Sequence, residues 1–136
     1  MLHYDTLNEN QKSILPDLAK FASDLKFYLG GGTALALYYG HRKSVDFDWF
    51  TSAQFEPYML AGYLRENGII PNNIRTALGT LHCEINNVRV SFLKYSYPLL
   101  LPIQKYDEYH LLLASLDDLV CMKLAAVAQR GSKRIS

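Results

Sequence analysis

The chain is expected to fold as an α/β (α+β) domain, a small mixed twisted sheet flanked by helices. Three observations predict it. Apolar residues recur at helical spacing near both ends, as Ile14, Leu15, Leu18, Phe21, Ala22, Leu25 and as Val120, Leu124, Val127. Short runs bounded by turn residues fill the middle, from Ile74 to Tyr95. Between these zones, Phe27-Tyr28-Leu29, three glycines and Thr33-Ala34-Leu35-Ala36-Leu37 read as strand, turn and helix. A length of 136 residues with 49% hydrophobic content suits one domain, residues 1–136, with a real core.

Taken in order, Thr6-Leu7-Asn8-Glu9 has the form of a capping box and predicts the first helix, which Pro16 should kink or delay. Lys26–Leu29 is a short strand. The helix after the glycines should stop at Gly40, and His41-Arg42-Lys43-Ser44 links it to a strand that ends at Thr51-Ser52-Ala53. Phe55–Asn67 is a third helix with Pro57 in its first turn. Strands follow at 74–78, 80–85 and 88–95, the last two joined through Asn86-Asn87. Two prolines, Pro98 and Pro102, make 97–102 an ordered loop or edge segment. Tyr109–Ala114 is a strand, and Ser115-Leu116-Asp117-Asp118 caps a last helix expected to reach about Arg130 and to end at Gly131-Ser132.

The formal charge of +1 gives no basic footprint, so any nucleic-acid contact must come from a local patch. Cys83 and Cys121 make no disulfide framework; reduced, structurally buried thiols in a cytoplasmic protein are expected. No apolar run reaches the ~18 residues of a membrane span. The ten tyrosines recur on no one predicted face and read as packing, and His3, His82 and His110 lack metal-ligand spacing.

The chemistry concentrates between Tyr28 and Phe50. A glycine turn that opens a helix can present free backbone N–H groups to an anion, and Gly31, Gly32 and the Thr33 hydroxyl are candidates to cradle phosphate. Asp46 and Asp48 alternate with Val45, Phe47 and Trp49, so in a strand both carboxylates share one face. Like charges held close are unfavourable without a cation between them, and an all-oxygen site suits Mg²⁺, with Mn²⁺ as its substitute. Lys123, mid-helix on an otherwise apolar segment, must either reach a phosphate or extend to water. Arg42 and Arg130 admit both a phosphate-binding and a structural reading.

The stretch resembles the AbiEii-like nucleotidyltransferases of type IV toxin–antitoxin systems, in the DNA polymerase β-like superfamily. The resemblance rests on Leu29, Gly31, Gly32, Thr33, Ala34, Leu35 and Leu37, then Gly40, His41, Arg42, Ser44, Asp46, Asp48 and Phe50. A second block follows in Ser115, Asp118, Leu119, Lys123, Leu124, Ala126 and Arg130, and Val88–Leu93 is similar to the family's middle strand. The resemblance implies a polymerase β-like nucleotidyltransferase core. Asp46 and Asp48 would be metal ligands and catalytic together with Lys123. Gly31, Gly32, Thr33, Arg42, Ser44, Lys123 and Arg130 would contact the nucleotide. The activity would be Mg²⁺-dependent transfer of a nucleotidyl group from an NTP to an acceptor such as tRNA, by the toxin of a toxin–antitoxin pair linked to abortive infection. The partners would be the NTP, an RNA acceptor and an antitoxin protein, with no membrane.

Two departures bear on this. Ser91 stands where the superfamily places a third carboxylate, which leaves Glu84 on the preceding strand, water, or loss of activity. The family block also continues into an Asp and a further helical region, whereas Lys133-Arg134 is followed here only by Ile135-Ser136. The alternative expectation is therefore a truncated, inactive remnant that binds nucleotide or an antitoxin.

Overall fold

A short helical cap, not the box at Thr6, starts the first helix. In the computed structural model, which describes residues 1–40 and 45–135 with side chains as far as residue 128, α1 spans Glu9–Asp24. The Asn8 side chain accepts from Gln11 N–H at 2.8 Å and Gln11 Oε1 accepts from Asn8 N–H at 2.9 Å. The reciprocal motif is thus present two residues later than the sequence suggests, because Thr6 donates its hydroxyl to the His3 carbonyl within a 3-10 turn. Pro16 lies inside α1 and neither delays nor ends it.

The predicted elements then appear with small shifts: β1 (Tyr28–Gly30), α2 (Gly31–Tyr39), β2 (Asp46–Thr51), α3 (Pro57–Glu66), β3 (Asn72–Ala77), β4 (Thr80–Ile85) and β5 (Val88–Lys94). Gly40 ends α2 with φ 73°, a left-handed stop that suits glycine. Asn86 and Asn87 both have positive φ, 50° and 63°, which is the geometry of a tight two-residue hairpin. Beyond the expected loop at 97–102, a short β6 (Gln104–Tyr106), not anticipated from the sequence, pairs with β7 (Leu111–Leu113). The last helix, α4, runs Leu116–Ile135 and passes through Gly131-Ser132 instead of stopping there. A glycine inside a helix costs only about 1 kcal/mol, so the turn signal was not decisive.

Among the described residues the strands join in one seven-stranded sheet, in the order β3-β4-β5-β2-β1-β7-β6. The β2–β5 and β1–β7 pairs are parallel and the rest antiparallel, so the sheet is mixed, as expected. One face is apolar. Phe47 and Trp49 of β2, Val90 and Phe92 of β5, and Leu81 and Cys83 of β4 are buried with Leu15, Leu18 and Phe21 of α1 and Leu60 and Leu64 of α3. The Phe21 and Phe92 rings meet edge to face at 6.3 Å. Period-two alternation then puts Asp46, Asp48, Ser91, His82 and Glu84 on the opposite face. Cys83 is buried as expected, but Cys121 is exposed.

Candidate active site

Strand register gathers the polar face into rows. Gly30 of β1 lies opposite Asp48, which neighbours Ser91; Ser91 neighbours His82, and His82 neighbours Arg75 of β3. A second row runs Asp46, Arg89, Glu84, Asn72. The acid pair therefore sits mid-sheet, on the strand that enters directly from the segment after α2.

Over Asp48 stands a cleft of about 300 Å³ walled by Gly31, Gly32 and Leu35 of α2, Asp48 and Phe50 of β2, and Leu119, Met122, Lys123 and Ala126 of α4. It brings the first helix turn after the glycines, one of the predicted acids and Lys123 to one place. Lys123 lines the cleft and is exposed, so its mid-helix cation is not buried among the apolar residues of α4.

The glycines are shaped for this position. Gly31 opens α2 with φ 68°, and a Cβ there would lie 2.5 Å from Asp48 Oδ2. Gly30 leaves room for the Phe50 ring, 2.7 Å from where its Cβ would be. Gly31→Ala should therefore lose about 1–2 kcal/mol in urea unfolding from the left-handed backbone alone. It should also push the Asp48 carboxylate aside; unchanged stability would show that the close approach is immaterial.

Thr33 meets the start of β2. It is buried, 3% exposed, and its hydroxyl donates a hydrogen bond to the Asp46 carbonyl oxygen. The bond ties the first turn of α2 to the start of β2. Gln11 of α1 adds a second bond to the same carbonyl at 3.3 Å.

The acids differ. Asp46 Oδ1 is 3.2 Å from Arg89 Nε in an exposed ion pair. Asp48 has its pKa raised from 3.8 to about 6, first by burial and then by the Asp46 charge, with Arg89 opposing. Repulsion between like charges on one face is thus present, and a cation would relieve it. Among the described residues no third His, Cys, Asp or Glu joins the pair in a metal-binding cluster. Glu84 does not fill the gap: it is two strands from Asp46, about 10 Å by strand spacing, and its Oε2 accepts from Asn73 Nδ2 at 2.7 Å. Instead, Ser91 stands beside Asp48 with its Oγ 2.7 Å from His82 Nδ1. Nothing in the spacing of His82 along the chain marks it as a partner of Ser91; only the β4–β5 register brings the two together, one strand away from Asp48.

Three further predicted contacts cannot be located in this way. Arg42 and Ser44 lie outside the described residues, and so does the side chain of Arg130, although its backbone belongs to α4.

Residues 13–92 match the family described as nucleotidyl transferase AbiEii toxin, type IV TA system. An uncharacterised protein of Aquifex aeolicus is 34% identical over 130 residues, 94% of this chain and 63% of that protein. The chain belongs to the AbiEii family. Its fold is shared with JHP933 of Helicobacter pylori, at TM-score 0.59 and 20% identity, over 87% of this chain and 57% of that one. A second Helicobacter pylori structure, provisionally named a nucleotidyltransferase, aligns at TM-score 0.61 and 20% identity over 85% and 56% of the two chains. Megavirus polyadenylate synthase aligns at TM-score 0.51 and 14% identity, over 76% of this chain and 24% of that one. The fold is thus the nucleotidyltransferase core that the glycine and Asp-x-Asp motifs implied. This AbiEii-family chain spans 63% of the curated relative's length and 56–57% of the Helicobacter proteins'. None of the helices among the described residues is long and apolar enough to cross a membrane.

Proposed function

We propose that the chain transfers a nucleotidyl group from an NTP to an RNA acceptor, as the toxin of a type IV toxin–antitoxin pair whose second protein restrains it. The observation that carries this reading is the placement of Asp48 under the first turn of α2, beside Asp46 on the same strand face and across the cleft from Lys123. The N-terminal N–H groups of α2, at Gly31 and Gly32, favour the triphosphate, with Lys123 as a mobile counter-charge. The acceptor oxygen attacks the α-phosphorus, the bond to the β-phosphate breaks, and pyrophosphate leaves.

The acid pair fits Mg²⁺, or Mn²⁺ in its place. Mg²⁺ commonly takes one or two carboxylates and completes its shell with water and substrate phosphate, so a site with two protein acids is sufficient. Bound there, the metal would neutralise charge on the transferring group. Asp46 and Asp48 supply the oxygens, and the Thr33 bond to the Asp46 backbone holds their strand against α2.

The test is incubation with labelled NTPs, Mg²⁺ and total tRNA. Label should enter RNA, and Asp46→Asn should lower transfer by about 10³-fold, the several kcal/mol attributed to metal-assisted charge stabilisation. Transfer that survives Asp46→Asn and Asp48→Asn would sink the assigned site. The second reading, a nucleotide-binding remnant, draws on the two-acid cluster and would be recognised by NTP binding in calorimetry without turnover.

A further inference from the structure

We propose that Ser91, backed by His82, receives the acceptor hydroxyl and relays its proton during transfer. The inference rests on the nucleotidyltransferase reading above and goes beyond it by assigning the acceptor side of the site.

In-line displacement puts the attacking oxygen and the leaving pyrophosphate on opposite sides of the α-phosphorus. The phosphate-binding features, α2's N-terminus and Lys123, flank Asp48 on the β1 and α4 side. The acceptor then approaches from the β5 side, where the next position in the row is Ser91. Other polar groups on that part of the face are engaged: Arg89 with Asp46, and Glu84 with Asn73. A serine hydroxyl alone is a poor base. His82 Nδ1, 2.7 Å from Ser91 Oγ, changes that when its Nε2 carries the ring proton, because Nδ1 then accepts the serine proton.

The step balances without another reagent. The acceptor O–H proton passes to Ser91 Oγ as the Ser91 proton passes to His82 Nδ1. The new bond to the α-phosphorus forms, the α–β phosphate bond breaks, and pyrophosphate departs. Neutral imidazole becomes imidazolium, which afterwards gives its proton to water. Ser91 is the group that touches the acceptor, and His82 acts through it.

The experiment compares single-turnover transfer from labelled NTP to total tRNA, and NTP affinity by calorimetry, in four proteins: wild type, Ser91→Ala, His82→Gln and the double variant Ser91→Asp/His82→Gln. The amide introduced by His82→Gln can still hydrogen-bond Ser91 but cannot take a proton. Both single variants should lose about 10²-fold in rate, at the low end for proton-transfer catalysis, while NTP affinity stays within about threefold. In the double variant the carboxylate introduced by Ser91→Asp takes the proton directly, so the rate should return to within about tenfold of wild type. A wild-type rate in His82→Gln overturns the inference and leaves the nucleotidyltransferase reading standing. Loss of rate with weakened NTP affinity and no recovery in the double variant also overturns it, since that is what a structural role gives. A wild-type protein that transfers nothing overturns both.

Discussion

Replacing Asp48 by Asn should stabilise the metal-free protein at pH 7.5 while cutting nucleotidyl transfer by about 10³-fold. The folded chain holds the Asp48 proton to about pH 6 whereas an unperturbed carboxyl releases it near 3.8, because burial and the neighbouring Asp46 both disfavour the charge. A raised pKa means that this group's contribution is fully present below the unfolded value and is lost as pH rises through 4 to 6. Above pH 7 the ionised, half-buried carboxylate then weakens the fold by an upper bound of about 3 kcal/mol, since each pKa unit is worth about 1.4 kcal/mol. The Asp48→Asn variant carries no charge at this position and escapes that loss. Urea unfolding of both proteins at pH 4 and pH 7.5 reads the effect: the variant's advantage should appear only at the higher pH. Millimolar Mg²⁺ should raise the wild-type unfolding midpoint at pH 7.5 and leave the variant's nearly unchanged. A variant less stable than wild type at pH 7.5 would mean that Asp48 is held by favourable contacts and is not a strained ligand.

The strand–glycine–helix–Asp segment was legible because each of its parts is local. A glycine with positive φ, a helix that starts beside it and a period-two acid pair are all set within about twenty residues, and the structure returns them in that arrangement. The Asn86-Asn87 hairpin was legible for the same reason. What the sequence could not show depends on partners far along the chain. His82 gains meaning only because β5 inserts between β4 and β2, a parallel pairing that links residues 43 positions apart in Asp46 and Arg89. The bond from the Thr33 hydroxyl to the Asp46 carbonyl likewise depends on the return of β2 beneath α2, which nothing local to the glycines shows. The capping box moved by two residues because Asn8 and Gln11 satisfy the same pattern as Thr6 and Glu9, and only the fold decides between overlapping caps. β6 escaped notice because its three residues pair with β7 across an edge, with no burial pattern to mark them.

Asp118→Ala should cost about 2 kcal/mol at pH 7, because it removes charge-assisted hydrogen bonds from the Leu100 and Leu101 backbone and from the Ser115 hydroxyl. Asp118 is 3% exposed in the first turn of α4. Its carboxylate accepts from the backbone N–H of Leu100 at 2.7 Å and of Leu101 at 3.1 Å, and from the Ser115 hydroxyl at 2.7 Å. Ser115 Oγ in turn accepts from Asp118 N–H at 3.1 Å, closing the cap. Burial alone would raise the Asp118 pKa, but the bonds from Leu100, Ser115 and Leu101 together hold it below the ordinary value. The stabilisation is therefore present above the unfolded pKa, near 4, and lost as pH falls through the lower folded value. The gap between wild type and Asp118→Ala in urea unfolding should accordingly narrow on the acid side, opposite in direction to the Asp48 effect. Asp118→Asn keeps an acceptor oxygen and should lose less than the alanine variant. The consequence reaches the active site because α4 carries Lys123 one turn beyond Asp118, and the same carboxylate fastens the Pro98–Pro102 loop to that helix. Asp118→Ala should therefore weaken NTP binding in calorimetry, whereas Lys123→Ala should weaken it without the loss of stability. Equal unfolding curves for wild type and Asp118→Ala at pH 7 would show that the loop and helix are held together by other contacts.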